Sequence, residues 1–156
     1  MKKKIKWALL GLLVLFGLLQ LFNPSPVNPP VKSDFIAIMA PPAELAQTLR
    51  ASCYDCHSHE TRWPWYSRIA PISWSIAQDV ENGRANLDLS TWTTNDLDHA
   101  LRKLGAMSDD VQSGDMPVKK YTLIHRDARL TPDQRQKLSA WLDAKQDELR
   151  PQNAAH

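Results

Sequence analysis

Cysteine is scarce in this sequence, which has two among its 156 residues. Cys53 and Cys56 are separated by two residues, and His57 follows the second directly, in the run "CYDCHSHETRWPWYS". A structural zinc site needs four tetrahedral ligands, so a second pair of cysteines or histidines at metal spacing would be required. The later histidines, at positions 99, 125 and 156, include no pair at that spacing. The sequence therefore argues against structural zinc.

The patterns of several other enzyme and binding classes are also missing. The sequence has no Ser-His-Asp arrangement, no alternating carboxylate pair and, with five glycines in all, no glycine-rich loop for phosphate. No basic stripe with interleaved aromatic residues is present, which argues against nucleic-acid binding. The net charge of +2 does not change this, because four of the 19 basic residues precede residue 7 and leave 15 against 17 acidic residues.

The Cys-x-x-Cys-His run fits two remaining chemistries. A thioredoxin-like redox pair normally follows a hydrophobic strand, whereas the preceding "PPAELAQTLRAS" has helical spacing. Covalent haem attachment uses two thiols for the two vinyl groups and the next histidine as an iron ligand. This chemistry explains all three residues. We predict one haem c attached through Cys53 and Cys56 with His57 as proximal ligand, and a redox disulfide is the alternative.

The N-terminal residues combine a positive charge with a hydrophobic run. Four lysines precede Trp7, and the run "WALLGLLVLFGLLQLF" continues to Phe22 with Gln20 as its only polar residue. It is slightly shorter than a usual membrane span and longer than a usual signal-peptide core, and no small-residue cleavage site follows. We predict an uncleaved anchor over residues 1–22, with a cleaved signal as the alternative. The positive-inside rule then places later residues outside the cytoplasm, on the periplasmic side of a bacterial inner membrane.

Composition divides the rest of the chain into three parts. Residues 23–34 begin with "NPSPVNPPV", which contains four prolines and no glycine and predicts an extended linker. Residues 35–149 have the size of one compact domain, and residues 150–156 are predicted to be a flexible tail. No strand pattern or internal repeat is visible, so the predicted fold is all-α, a small cytochrome-c-like helical domain around one covalent haem.

Four helices are expected in this domain. Leu45, Leu49 and Cys53 share one face of the first helix, which leads into the haem-binding turn. The second helix contains Ile72, Ile76 and Val80 and is expected to end at Gly83, the third to be capped by Thr94, and the last to begin with a capping box of Thr131 and Gln134 around Pro132.

The second axial ligand of the iron would decide the chemistry. Met116 lies in "SGDMPVKK", where Pro117 stiffens the loop, and it is the predicted distal ligand. Met107 is the next candidate, although a methionine at helical spacing is more often core filler; Met39 is a weaker candidate, and His125 is the alternative ligand among the histidines. His59 lies too close to His57 along the chain to reach the other face.

Several further side chains could contact the cofactor. The aromatic residues Trp63, Trp65 and Tyr66 are expected to form a wall of the core, with contact to the porphyrin as an alternative. Arginines can neutralise haem propionates in bidentate geometry, and the sequence does not choose among the candidates Arg62, Arg68, Arg84 and Arg126.

Three blocks of the sequence resemble the bacterial haem-binding domain family of small cytochrome-c-like envelope domains. They are "CYDCHSHETRWPWYSRIAPISW", "DVENGRANLDLSTW" and "MPVKKYTLIHRDARLTPDQRQKLSAWL", and the resemblance runs from about Met39 to Leu142. It implies haem attachment at Cys53 and Cys56, with His57 and Met116 as axial ligands. One departure is His59, where the family usually has asparagine, and this is expected to add an exposed imidazole.

The leading hypothesis is therefore a membrane-tethered monohaem c-type cytochrome that transfers single electrons between envelope redox partners. A non-catalytic role is favoured because six-coordinate iron requires no bond-making with substrate. The alternatives are a haem-based sensor and a peroxidase-like protein with an open or weakly held distal position.

Overall fold

The computed structural model describes residues 2–150, and the predicted tail beyond Arg150 lies outside them. The described part contains helices and no β-strand, which confirms the all-α prediction. The helices are α1 (Lys2–Leu19), α2 (Phe35–Met39), α3 (Ala43–Ser52), α4 (Tyr54–His57), α5 (Ile72–Asn86), α6 (Leu97–Ser113), α7 (Lys119–Ile124) and α8 (Pro132–Leu149). Short 3₁₀ turns occupy Gln20–Phe22, Trp65–Arg68 and Arg126–Ala128.

Side chains cap the N-termini of α2, α6 and α8. The Thr131 side chain accepts a hydrogen bond from the Gln134 backbone at 3.1 Å, and the Gln134 side chain accepts one from the Thr131 backbone at 3.0 Å, which confirms the capping box. The predicted Thr94 cap is wrong. Asp96 caps α6 instead, since its carboxylate accepts from the backbone of His99 at 2.9 Å and a charged acceptor suits a helix N-terminus.

The predicted end of α5 at Gly83 is also wrong, because the helix continues through it to Asn86. Gly83 is a buried residue in the last turns of the helix, and its small size serves packing instead of capping. The true glycine terminator is Gly114, which follows α6 with a φ of 84° in the left-handed region that other residues avoid.

The hydrophobic core lies mainly between α6 and α8, with α2 and α3 closing it. Leu104 on α6 and the pair Leu138 and Leu142 on α8 are fully buried. Phe35 from α2 is also fully buried, and its ring meets that of Trp92 edge to face at a centroid distance of 4.8 Å. Burial of these apolar surfaces holds α3 and the turn after it against the rest of the domain.

Helix α1 stands apart from this core, with no buried residue. Together with the 3₁₀ turn that ends at Phe22 it forms 21 residues, and an 18-residue window within them has a mean hydropathy of 2.1, long and apolar enough to cross a membrane. The proline-rich segment that follows lies along the domain. Asn28 donates to the carbonyl of Thr61 at 2.9 Å and accepts from the indole of Trp63 at 3.0 Å, while the Ser33 backbone donates to Ser90 at 3.0 Å.

Candidate haem site

The Cys-x-x-Cys-His run forms a single helical turn. Cys53 follows the last residue of α3, and its carbonyl accepts from the His57 backbone at 3.0 Å, which closes α4. The turn is anchored on both sides. The Tyr54 hydroxyl donates to Asp34 at 2.5 Å, and the His57 carbonyl accepts from Leu89 at 2.7 Å. These contacts fix the direction in which both thiols and the imidazole project.

The turn opens onto a cavity of about 410 Å³, here called the larger cavity. Cys53, Cys56, His57 and Met116, the four residues predicted for the site, all line it. Met107 lines it as well. The remaining lining residues are Leu49, Asp79, Asn82, Gly83, Asn86, Leu87, Lys103, Ala106, Asp110, Val111, Pro117, Val118, Tyr121 and Leu138. The leucines and valines give the cavity apolar walls of the kind that a porphyrin requires.

The imidazole of His57 is held by hydrogen bonds at its Nδ1 atom. Its Nδ1 lies 2.9 Å from the carbonyl oxygen of Gly83 and 3.1 Å from that of Leu87, and both acceptors belong to the end of α5. Since carbonyl oxygens only accept hydrogen bonds, Nδ1 carries the proton and Nε2 keeps its lone pair. Backbone acceptors of this kind commonly fix the tautomer of a metal-binding histidine. The Nε2 atom is therefore the nitrogen available to iron.

Gly83 also allows α5 to touch the haem-binding turn. A β-carbon placed on Gly83 would lie 2.5 Å from the carbonyl oxygen of Cys56 and 3.2 Å from its β-carbon, closer than side chains tolerate. The sequence interpretation treated Gly83 as a helix end and missed this role. The one sequence feature that could have indicated this packing role is a glycine three residues before the end of an otherwise regular helix. Such a glycine often marks close packing.

Met116 reaches the larger cavity through the turn after α6. The chain reverses at Gly114, and the Met116 backbone then donates to the carbonyl of Asp110 at 3.0 Å. Arg135 on α8 donates to the Met116 carbonyl at 3.1 Å and also bonds the carbonyl of Val111. The loop is thus tied to two helices. Met116 is partly exposed, whereas Met107 is 8% exposed within the core cluster, in accord with its expected role as core filler.

The two thiols are protonated at neutral pH. Burial, with a smaller contribution from Cys56, raises the pKa of Cys53 to about 12. Burial and the negative charge of Asp79 raise the pKa of Cys56 to about 11. Reactive redox cysteines have lowered pKa values and nearby positive charge. The raised pKa values of Cys53 and Cys56 therefore argue against a thioredoxin-like function. No group of three or more His, Cys, Asp or Glu side chains suited to a metal ion occurs within residues 2–150.

A second cavity, of about 220 Å³, lies beside the larger one, with Cys56, Asp79, Val118 and Tyr121 lining both. His125 lines only this smaller cavity, so the structure does not bring it to the cavity that His57 faces. Its Nε2 lies 2.7 Å from the Tyr66 hydroxyl, and its ring stacks on Tyr121 at a centroid distance of 4.2 Å. The Met39 alternative is buried in the core and lines neither cavity.

A buried carboxylate joins the haem-binding turn to α7. Asp55 accepts from the Tyr121 hydroxyl at 2.6 Å and from the guanidinium of Arg62 at 2.8 Å. Burial opposes ionisation, but these hydrogen bonds outweigh it and lower the pKa of Asp55. Burial, and after it the hydrogen bond to Asp55, raise the pKa of the Tyr121 hydroxyl. The ionised Asp55 is thus a structural link between α4 and α7.

Other sequence expectations for this region are wrong. Trp65 is 77% exposed and is no core wall, and neither Trp63 nor Tyr66 lines the larger cavity. The His59 imidazole is not exposed, since 9% of its side chain is accessible and its Nε2 lies 2.9 Å from Asp88.

None of the four candidate arginines lines the larger cavity, whereas Lys103 does. Lys103 and Met107 are four residues apart on α6 and therefore share one face of the helix. This spacing is the sequence feature that could have predicted Lys103 as a lining residue.

The chemistry of the residues around the larger cavity and the size of that cavity both suit a haem. Two neutral thiols, an imidazole with a free Nε2 and a methionine thioether converge on apolar walls. A model of the haem-binding domain family matches residues 14–144, which is most of the chain. The chain belongs to the haem-binding domain family. The resemblance noted over Met39 to Leu142 is thereby confirmed. No curated protein and no solved structure matches the chain with statistical significance.

Proposed function

We propose that this haem-binding domain protein is a membrane-tethered monohaem c-type cytochrome that transfers single electrons between partners on the periplasmic side of a bacterial inner membrane. The observation that carries the proposal is the convergence of Cys53, Cys56, His57 and Met116 on one cavity. A haem with both axial positions filled supplies a reversible one-electron couple and needs no substrate bond-making. Envelope redox proteins are the partners that this function requires.

Covalent attachment is supported by the state of the thiols. In a thioether attachment each S–H adds across a vinyl double bond, so that one C–S bond forms, the hydrogen goes to the neighbouring carbon, and nothing is released. This addition requires two reduced cysteines near one porphyrin edge. Cys53 and Cys56 form no disulfide with each other, and both line the larger cavity beside His57.

The contacts that hold His57 and Met116 support their assignment as the axial ligands. His57 is oriented by two carbonyl acceptors that leave Nε2 free, and Met116 is presented by a loop tied to α6 and α8. A methionine ligand raises the reduction potential relative to a second histidine. Lys103 is placed to meet an anionic group of the cofactor, since it is the lysine among the lining residues of the larger cavity.

The test is spectroscopy and mass determination on full-length protein matured in an envelope that can attach haem. We expect the mass of one added haem, a six-coordinate spectrum in both oxidation states and a far-red methionine-to-iron band in the oxidised protein. Unmodified thiols would refute the c-type assignment. Full reactivity of the reduced protein with carbon monoxide would favour the sensor or peroxidase-like alternatives, because both need an open distal position.

A further inference from the structure

The end of the anchor helix is fastened directly to the haem-binding domain. The Gln20 side chain accepts from the Ala70 backbone at 3.0 Å and donates to the Ala70 carbonyl at 3.3 Å. The Asn23 side chain donates to the Arg68 carbonyl at 3.0 Å and accepts from the Ser73 hydroxyl at 2.6 Å. Gln20 and Asn23 both precede Pro24, the first proline of the linker. These bonds set the domain at a defined position on the end of α1.

A third contact at this junction comes from a tryptophan. The indole Nε1 of Trp74 donates to the carbonyl of Phe22 at 3.1 Å, and the Trp74 side chain remains partly exposed. Phe22 is the last residue of the apolar run. Tryptophans concentrate at the boundary between hydrocarbon and water, where the ring is buried and the N–H is bonded. Trp74 has this arrangement at the end of the run.

The length of the run brings the domain close to the hydrocarbon. Residues 7–19 in α1 and the three residues of the 3₁₀ turn span about 25 Å at their respective rises. A typical hydrocarbon core is about 30 Å thick. A short span is accommodated by local thinning or by drawing its flanking residues inward. The domain residues bonded to Gln20 and Asn23 are therefore pulled toward the bilayer.

The domain carries exposed apolar side chains next to this junction. Six large apolar side chains in residues 35–150 are well exposed, and all but Ile38 belong to two segments, 65–74 and 123–124. We call these five residues the apolar patch: Trp65, Ile72, Trp74, Leu123 and Ile124.

The two segments of the apolar patch adjoin each other. Ile72 and Ile124 line the same smaller cavity, and the Tyr66 hydroxyl is bonded to His125. Exposed apolar side chains grouped in this way mark an interaction surface. The apolar patch also adjoins a positive charge, because Arg68 is exposed and forms no ion pair within residues 2–150.

We infer that the apolar patch rests on the lipid bilayer, so that the domain is docked to the membrane surface in one orientation and does not swing on its linker. The occupant is lipid because the patch continues from the end of the membrane helix and combines apolar side chains, a boundary tryptophan and an unpaired arginine suited to anionic headgroups. The inference rests on the proposed membrane anchoring by α1.

The test uses nitroxide labels on full-length haem-loaded protein in phosphatidylcholine and phosphatidylglycerol nanodiscs. Haem attachment consumes Cys53 and Cys56, so one introduced cysteine carries the only label. Leu123→Cys reports on the apolar patch, and Leu13→Cys reports on α1. Asp147→Cys is the matched control, because its side chain is also well exposed, at 71%, and it lies on α8, outside both segments of the apolar patch.

Collision rates with oxygen, which concentrates in lipid, and with a water-soluble nickel chelate are measured for each label. We expect the ratio of oxygen to nickel collisions at position 123 to exceed that at position 147 several-fold and to approach the ratio at position 13. Equal ratios at 123 and 147, with a lipid-like value at 13, would overturn the docking inference and leave the anchor intact. A water-like ratio at 13 would overturn the anchor and the docking together.

Adding Asn23→Ala to the Leu123→Cys protein gives a second readout. The substitution removes the hydrogen bonds to Arg68 and Ser73 that fasten the domain to the helix end. If that junction holds the patch on the bilayer, the oxygen-to-nickel ratio at position 123 falls while the ratio at position 13 stays unchanged. An unaltered ratio at 123 beside a water-like control at 147 would show that the patch binds lipid without help from the junction, and would overturn the role given to Asn23.

Discussion

The carbonyl oxygen of Cys56 passes so close to Gly83 that a β-carbon on Gly83 would lie 2.5 Å away from it. The carbonyl oxygen of the same glycine accepts a hydrogen bond from Nδ1 of His57 at 2.9 Å. One residue of α5 therefore sets both the distance of the Cys-x-x-Cys-His turn from the helix and the orientation of the His57 imidazole. A substitution at Gly83 is expected to disturb both.

Forcing an added methyl into a packed site usually costs about 1–3 kcal/mol, and alanine's higher helix propensity offsets about 1 kcal/mol. Gly83→Ala should therefore lower the free energy of unfolding by up to about 2 kcal/mol. The haem-loaded fraction should fall with it. Gly105→Ala is the control, since a β-carbon there meets only the flexible Gln146 side chain at 2.8 Å. Urea unfolding and haem content should separate the two variants; equal effects would contradict this account of Gly83.

Met116→Ala should abolish the far-red methionine-to-iron band and lower the reduction potential, because the proposed sixth ligand is removed. Met107→Ala should keep the band and cost about 2–5 kcal/mol of stability, since Met107 is 8% exposed in the core. Absorption spectra, potentiometry and denaturation of both variants test this pair of expectations. Loss of the band in the Met107 variant alone would make Met107 the ligand.

Arg135 is a positioning residue, because it bonds the carbonyls of Met116 and Val111 and lines neither cavity. Arg135→Ala should weaken the far-red band and broaden the redox titration, with a stability loss of about 1.5–3 kcal/mol from the charged hydrogen bonds. Arg135→Lys should restore part of the band. Lys137→Ala, on the exposed side of the same helix, should leave the spectrum unchanged. A band untouched in the alanine variant would show that the loop holds Met116 without Arg135.

The apoprotein should lose stability as the pH rises above about 9. The pKa values of the folded thiols, about 12 for Cys53 and about 11 for Cys56, lie above the ordinary value of 9.0. Since folding favours the neutral thiols, their stabilisation is complete below the unfolded pKa and disappears as pH approaches the folded values. The loss is about 1.4 kcal/mol per pH unit for each thiol. Urea midpoints from pH 7 to 11 measure it. A Cys53→Ser, Cys56→Ser variant should lack the slope that begins at about pH 9 and keep only the loss that Tyr54 and Tyr121 add from about pH 10, since folding raises their pKa values as well.

The apolar N-terminal helix, the Cys-x-x-Cys-His turn and the last helix were accessible from the sequence because each depends on residues close together in the chain. The capping box of Thr131 and Gln134 is a contact across three positions, and the confirmed all-α class follows from helical spacing alone. Asp96 was missed as the cap of α6 because Thr94 offers a competing oxygen two residues earlier. Local pattern does not decide between two such acceptors.

What only the tertiary structure decided is which distant residues share the larger cavity. Lys103 lines it and the four candidate arginines do not, His125 lies in the neighbouring cavity, and Gly83 is a packing contact instead of a helix end. The sequence by itself determined the chemical groups, namely two thiols with an adjacent imidazole and a loop methionine. Which other residues surround these groups depends on how α5, α6 and α8 pack. That packing is set by shape and burial over the whole domain, which short-range spacing does not encode.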